Sequence, residues 1–239
     1  MNYYIASCVF TRAFPGLSFA IQSWVRSRNG IGIVRCCVPK YKLNEFTAEM
    51  PPERRNGWSE LPDSADFQPG DTVWSLCHNC SAIIEEQKPG VNVRSLWELI
   101  LTDEAFPYPD LCGREMFVQD CWRARDRADE QAAVREILRR MNVRVLEQDE
   151  RGRKTEFCGI SLLRPAPPRN LKMAPKRFVE NAPGKFLPHT PEEQRRIMTE
   201  YAARFAGSEV VDYCHYCHEG LLLGGAKAHH LAELLFAAQ

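Results

Sequence analysis

Two stretches of the chain repeat one another around a cysteine pair, and this repeat restricts the fold to two copies of one small unit. Gly70-Asp71-Thr72-Val73-Trp74-Ser75-Leu76-Cys77-His78-Asn79-Cys80 aligns without a gap on Gly207-Ser208-Glu209-Val210-Val211-Asp212-Tyr213-Cys214-His215-Tyr216-Cys217, 137 residues later. A single C-x-x-C is common. One repeated inside a duplicated strand-and-turn, with further cysteines upstream in both copies, indicates a pair of metal or iron–sulfur sites.

Ten cysteines in 239 residues need an explanation. Disulfides require an oxidising compartment. The start, Met1-Asn2-Tyr3-Tyr4-Ile5, has neither the charged n-region nor the apolar h-region of a secretory signal, and reads as a first strand. Metal ligation suits a reducing cytoplasm, the expected location, and accounts for the close spacings Cys36-Cys37, Cys77-x-x-Cys80 and Cys214-x-x-Cys217. Lys plus Arg and Asp plus Glu both total 31, so no global charge draws the chain to nucleic acid or a membrane surface. No run of roughly 18 apolar residues suggests a membrane span.

The repeat extends upstream. Tyr3 to Cys8 matches Met116 to Cys121 at an offset of 113, and each run is followed by apolar residues at helical spacing. At that offset Ala20, Ile21, Trp24 and Val25 fall on Ala133, Val134, Ile137 and Leu138. A second strand follows each helix, Ile31–Val34 and Val143–Leu146, and the third carries the C-x-x-C at its end. After it come a helix and a patterned tail, Arg94–Ile100 against His229–Leu235. The pattern predicts an α/β protein: two tandem, similar small α/β domains with mainly parallel sheets, related by a pseudo-two-fold duplication. The domains are expected at 1–106 and 114–239, with a linker at 107–113. The second copy carries an insertion rich in Pro, Lys and Arg at 164–190, read as an extended basic loop, either solvated on the surface or docking a partner or an anionic substrate. It ends at a helix start, with Thr190 as N-cap, Pro191 at the first position and Glu193 completing a capping box; Gly207 stops that helix.

In a parallel sheet all carboxyl ends lie on one edge, so cysteines distant in sequence converge. Cys8, Cys36, Cys37, Cys77 and Cys80 form a five-thiol set in copy one; Cys121, Cys158, Cys214 and Cys217 form a four-thiol set in copy two. Cys112 falls in the linker. His78 and His215 share one place in the two C-x-x-C turns, as candidate catalytic proton donors beside the ligands or as turn residues inherited with the repeat. His218, His229 and His230 read as surface or packing residues, and Trp24, Trp74 and Trp97 as core. Gly224-Gly225 is too short for a phosphate loop, and no dinucleotide fingerprint is present.

The order Cys, Cys-Cys, C-x-x-C, duplicated over most of the chain, resembles the cysteine-rich CCG domain family, of which the B subunit of heterodisulfide reductase is the best-known owner. In that family each domain holds a non-cubane [4Fe–4S] cluster on five cysteines, and the resemblance implies an enzyme subunit of this kind. The clusters of that family face a shared cavity where a small-molecule disulfide is cleaved. It further implies partners: a ferredoxin-like subunit with cubane clusters and a flavin-containing subunit. The chain has no flavin or nicotinamide motif, so its electrons are expected from another subunit.

Copy one departs from the family pattern in reading Cys36-Cys37-Val38, without the glycine. Copy two reads Phe157-Cys158-Gly159, with the glycine but without the first cysteine. Site one is therefore expected to hold the non-cubane [4Fe–4S] cluster. Site two is left open to a second [4Fe–4S] cluster or a zinc. The competing function is a non-catalytic electron-transfer or docking subunit of a respiratory or flavin-based complex. A zinc-stabilised structural protein is a third reading, against which the fifth thiol of site one argues.

Overall fold

A computed structural model describes residues 1–237. The chain divides into two compact units, Met1–Leu99 joined by Phe236 and Ala237, and Ile100–Leu235. Each is an α/β unit built on a four-stranded, all-parallel sheet.

In unit 1 the strands are β1 (Asn2–Ile5), β2 (Ile31–Val34), β3 (Thr72–Ser75) and β4 (Asn92–Ser95), in the order β2-β1-β3-β4. The helices are α1 (Cys8–Ala13), α2 (Pro15–Arg26), α3 (Leu43–Glu49), α4 (Pro52–Ser59), α5 (His78–Gln87) and α6 (Leu96–Leu101). In unit 2 the strands are β5 (Glu115–Gln119), β6 (Arg144–Leu146), β7 (Glu209–Asp212) and β8 (Lys227–His230), in the order β6-β5-β7-β8. Its helices are α7 (Ala128–Arg140), α8 (Pro168–Met173), α9 (Pro191–Ala202), α10 (His215–Leu223) and α11 (Leu231–Phe236). The two orders are the same, and the offsets of the sequence repeat carry Asn2 to Glu115 and Thr72 to Glu209, the first residues of equivalent strands.

The cores follow the helical spacing. Ile21 and Val25 of α2 and Val134, Ile137 and Leu138 of α7 are fully buried. Trp24, Trp74 and Trp97 are buried as expected, and the Trp24 ring meets Phe236 edge-on at 6.2 Å. The fourth strand of each sheet lies where the sequence suggests only a patterned tail. Asn92-Val93-Arg94-Ser95 and Lys227-Ala228-His229-His230 occupy sheet edges and are mostly polar, so neither carries the alternating apolar signal of a half-buried strand.

The segment read as a linker is tied into unit 2, with Leu111 N–H donating to the Met141 carbonyl and Gly113 N–H to that of Asn142. The insertion 164–190 is not an extended loop. It contains α8 and a π-turn at Lys176–Glu180, and it buries Asn170 and Phe178 completely or nearly so. Its prolines start short helical turns rather than preventing them, as Pro168 does at the first position of α8. The capping box at Thr190 and Glu193 is formed. The helix ends through a 3-10 turn at Ala203–Phe205, with Ala206 and Gly207 both at positive φ. No helix among the described residues is long and apolar enough to cross a membrane.

Candidate metal centre

Each cysteine beyond the linker follows the carboxyl end of a strand. β1 leads to Cys8, β2 to Cys36 and Cys37, and β3 to Cys77 and Cys80; β5 leads to Cys121, β6 to Cys158, and β7 to Cys214 and Cys217. All nine are buried and none is in a disulfide; Cys112 alone is exposed. The two C-x-x-C pairs are placed by helix starts. Cys77 and Cys214 are the N-caps of α5 and α10, so Cys80 and Cys217 lie in the first turn, where backbone N–H groups favour anionic sulfur.

In unit 2 the sulfurs of Cys121, Cys158, Cys214 and Cys217 all lie within 4.8 Å of one another, with Cys121 and Cys158 3.3 Å apart. Among the described residues this is the set that meets metal-ligand spacing. The thiols of unit 1 are linked by contacts with one another. Cys8 and Cys36 are 3.4 Å apart, and Cys80 is hydrogen-bonded to Cys77 and to Cys37.

These thiols are poor acids as they stand. Hydrogen bonding to Cys80 and then burial push Cys77 well up, and hydrogen bonding to Cys37 and burial do so for Cys80. Burial, reinforced by neighbouring thiols, raises Cys121 and Cys217. Cys158 is the exception. Burial pushes it up, but hydrogen bonds within the cluster and the adjacent Arg123 charge outweigh that and hold it below the ordinary thiol range. Four buried sulfurs cannot all ionise without a cation among them; a metal ion or iron–sulfur cluster is what such a donor set fits. The four buried, closely spaced cysteines of unit 2 can hold either.

Glycine at 159 has a local cause. Its φ is +53°, and a Cβ there would run into the Tyr216 carbonyl and the Cys217 backbone. Gly159 thus lets the 3-10 turn Gly159–Leu163 pack backbone-to-backbone on α10, which sets Cys158 against Cys217. Phe157 does not leave a gap. Its buried ring stacks on Tyr201 of α9 at 3.9 Å, and the Tyr201 hydroxyl donates to Gln119 Oε1 at 2.8 Å.

His78 and His215 are the first residues of α5 and α10, and both are buried, each directly after a cysteine. His218 and His230 are also buried. His218 Nδ1 is 2.8 Å from Asp212 Oδ2, at the end of β7. Burial raises the Asp212 carboxyl to about 7 despite the histidine. Burial pulls His218 down, but the Asp212 hydrogen bond and charge raise it above its usual value. His229 is half-buried, with Nε2 3.2 Å from Glu209 Oε1. The Asp212–His218 pair is missed when the histidines are read singly. The repeat holds the signal, because at the offset of 137 the same two positions are Ser75 and Ser81.

Arg123 is the other group that sequence reasoning passes over. It is 3% exposed, and its Nη1 donates to Cys158 Sγ at 2.6 Å and to Ser161 Oγ at 2.7 Å. In comparisons with known proteins, the chain matches no family model, no curated protein and no solved structure.

Proposed function

We propose that this chain is an iron–sulfur oxidoreductase subunit of the heterodisulfide-reductase-B type, which reduces a small-molecule disulfide with electrons received from a partner subunit. The observation that carries this reading is the convergence of nine buried cysteines on two equivalent sheet edges, five thiols in one unit and four in the other. When bound, an iron–sulfur cluster supplies one-electron transfer, which links a one-electron donor to a two-electron disulfide couple. The overall conversion takes two electrons and two protons per disulfide and yields two thiols.

The two units take different parts in this proposal. A tetrahedral zinc with Zn–S near 2.3 Å sets its sulfurs about 3.8 Å apart. The unit 2 set is of that compactness, and its sulfurs are enclosed, which favours a closed centre without an open coordination position. Disulfide reduction belongs to unit 1 in this scheme, because its five thiols are one more than a closed tetrahedral zinc uses. His78, beside Cys77 in unit 1, is the proton donor of this scheme.

The test is iron, acid-labile sulfide and zinc per chain after strictly anaerobic preparation, followed by spectra recorded with a panel of disulfides. Roughly eight iron means two four-iron clusters, and roughly four iron with one zinc means a cluster in unit 1 and zinc in unit 2. Colourless, iron-free, zinc-loaded protein would overturn the proposal. The burial of all nine sulfurs favours one second reading, a non-catalytic electron-transfer or docking subunit in which unit 1 relays electrons and no disulfide binds. Iron clusters reduced by a partner but unresponsive to every disulfide would establish it.

A further inference from the structure

We infer that Arg123 is the built-in counter-ion of the unit 2 thiolate centre, and that the insertion 164–190 is the cap that holds it there. The inference rests on reading the four thiols as a metal centre. Arg123 lies in the short 3-10 turn Trp122–Ala124, two residues after Cys121. No carboxylate pairs with it among the described residues, and its Nε has no hydrogen-bond partner. A buried guanidinium without a carboxylate is costly, and the anions within its reach are thiolates. Its hydrogen bond reaches Cys158 directly, and Ser161 Oγ, the second acceptor, donates in turn to the Cys158 carbonyl at 3.0 Å.

Three aromatic rings close around the same cation. The guanidinium carbon is 5.5 Å from the ring centroid of Phe178, 5.9 Å from Phe186 and 5.2 Å from Tyr216. Tyr216 belongs to the C-x-x-C turn; Phe178 and Phe186 belong to the insertion. The insertion is fastened on the rest of unit 2 by Leu187 N–H to the Leu162 carbonyl, His189 N–H to the Leu163 carbonyl, and ion pairs of Arg177 with Asp126 and Lys185 with Glu156. In copy one the position equivalent to Arg123, at the offset of 113, is Phe10, which is fully buried. At this repeat position the cation is present in unit 2 and replaced by an apolar ring in unit 1.

Four thiolates around a divalent ion, or around a four-iron cluster of the same charge, leave the site doubly negative and buried. A fixed guanidinium halves that charge, and its hydrogen bond draws electron density from the Cys158 sulfur. Arg123 is thus a positioning residue that makes the centre hold its metal more tightly and lowers the energy of the ligand sulfur.

The test uses full-length protein reconstituted anaerobically with cobalt(II), whose sulfur-to-metal charge-transfer absorption reports directly on the ligands. Arg123→Gln, Arg123→Lys and Phe186→Leu are compared with the wild type, and Cys217→Ala identifies the unit 2 share of the spectrum. In Arg123→Gln the unit 2 band moves to lower energy and cobalt affinity in a chelator competition falls by about ten- to a hundredfold. Arg123→Lys, which keeps the charge, recovers part of both changes. Phe186→Leu, which leaves every cysteine in place and alters a ring beside the guanidinium, shifts both in the same direction by less. An unchanged band and affinity in Arg123→Gln would overturn the assignment. If that variant does not fold, unchanged values in both Arg123→Lys and Phe186→Leu overturn it. Equal cobalt binding by wild type and Cys217→Ala would be a separate result, because it removes the unit 2 metal centre itself.

Discussion

Unit 1 and unit 2 share a strand order and a layout of thiols, yet the groups around those thiols differ in kind. Where unit 1 has Ser7, Phe10, Ser75 and Ser81, the same repeat positions in unit 2 hold Asp120, Arg123, Asp212 and His218. In unit 1 the Ser75 and Ser81 hydroxyls both donate to the Cys77 carbonyl, so they brace the turn without adding charge. The buried Arg35 of unit 1, unlike Arg123, pairs with a carboxylate, Asp63, and also donates to the Trp58 and Ser59 carbonyls. In unit 2, Asp120 is clamped by Arg135, the Tyr213 hydroxyl and the Gly152 N–H, Asp212 is paired with His218, and Arg123 is aimed at a thiol. The duplication preserved the backbone positions that present sulfur. The electrostatic surroundings diverged at these repeat positions: serines and a phenylalanine in one unit, two carboxylates, a histidine and an arginine in the other.

The comparison breaks most sharply at the ligands. Cys217→Ala is expected to abolish the unit 2 centre and leave the metal of unit 1 in place, read as metal per chain. Equal loss from both units would mean that they do not load independently. Next comes the backbone contact that unit 1 lacks. Gly159→Ala forces a side chain at positive φ into the Tyr216 carbonyl, and should cost about 3 kcal/mol or more in denaturant unfolding together with unit 2 metal. The matching position after Cys37 is Val38, so unit 1 has no such contact to lose.

Phe157→Cys asks whether the two units differ only by a missing ligand. It restores the Cys-Cys pair of copy one but removes a ring stacked on Tyr201. The expected outcome is a loss of about 2–4 kcal/mol with unit 2 metal content unchanged. A gain of iron in unit 2 would show that the sequence position alone decides the cluster.

The smallest effect concerns pH. Burial lifts the folded Asp212 carboxyl to about 7, and Asp212 lifts His218 against the effect of its burial. Both groups bind protons more tightly folded than unfolded. Their contribution is therefore full below the unfolded carboxylate range and is lost as pH rises through about 7. Relative to an Asp212→Ser/His218→Ser variant, the wild type should lose on the order of 1 kcal/mol between pH 6 and pH 8, measured by thermal or denaturant unfolding at fixed metal concentration. A difference independent of pH would show that the pair holds no extra proton.

Much of this architecture is legible in the sequence. The repeat offsets of 113 and 137 locate equivalent strands, and helical spacing at Ala20, Ile21, Trp24 and Val25 and at their partners in α7 locates the faces that pack. A parallel sheet then gathers the cysteines on one edge. The polar edge strands β4 and β8 escape because an edge strand of four residues needs no apolar alternation. The insertion escapes because its composition is that of a solvated loop, although Phe178 and Phe186 are turned inward.

What the sequence determined by itself is therefore periodic or local: the first three strands of each unit with the helices α2 and α7, the capped start at Thr190, and which five cysteines of unit 1 and four of unit 2 follow strand ends. Only the tertiary structure decided which sulfurs meet, that Phe157 is filled by Tyr201 rather than left vacant, and that Arg123 ends against Cys158. The reason is range. Hydrophobic periodicity and capping act over a few residues and leave a pattern in the chain. The 35-residue separation of Arg123 from Cys158, with the rings of Phe178 and Phe186 more than 50 residues beyond Arg123, leaves no spacing to read.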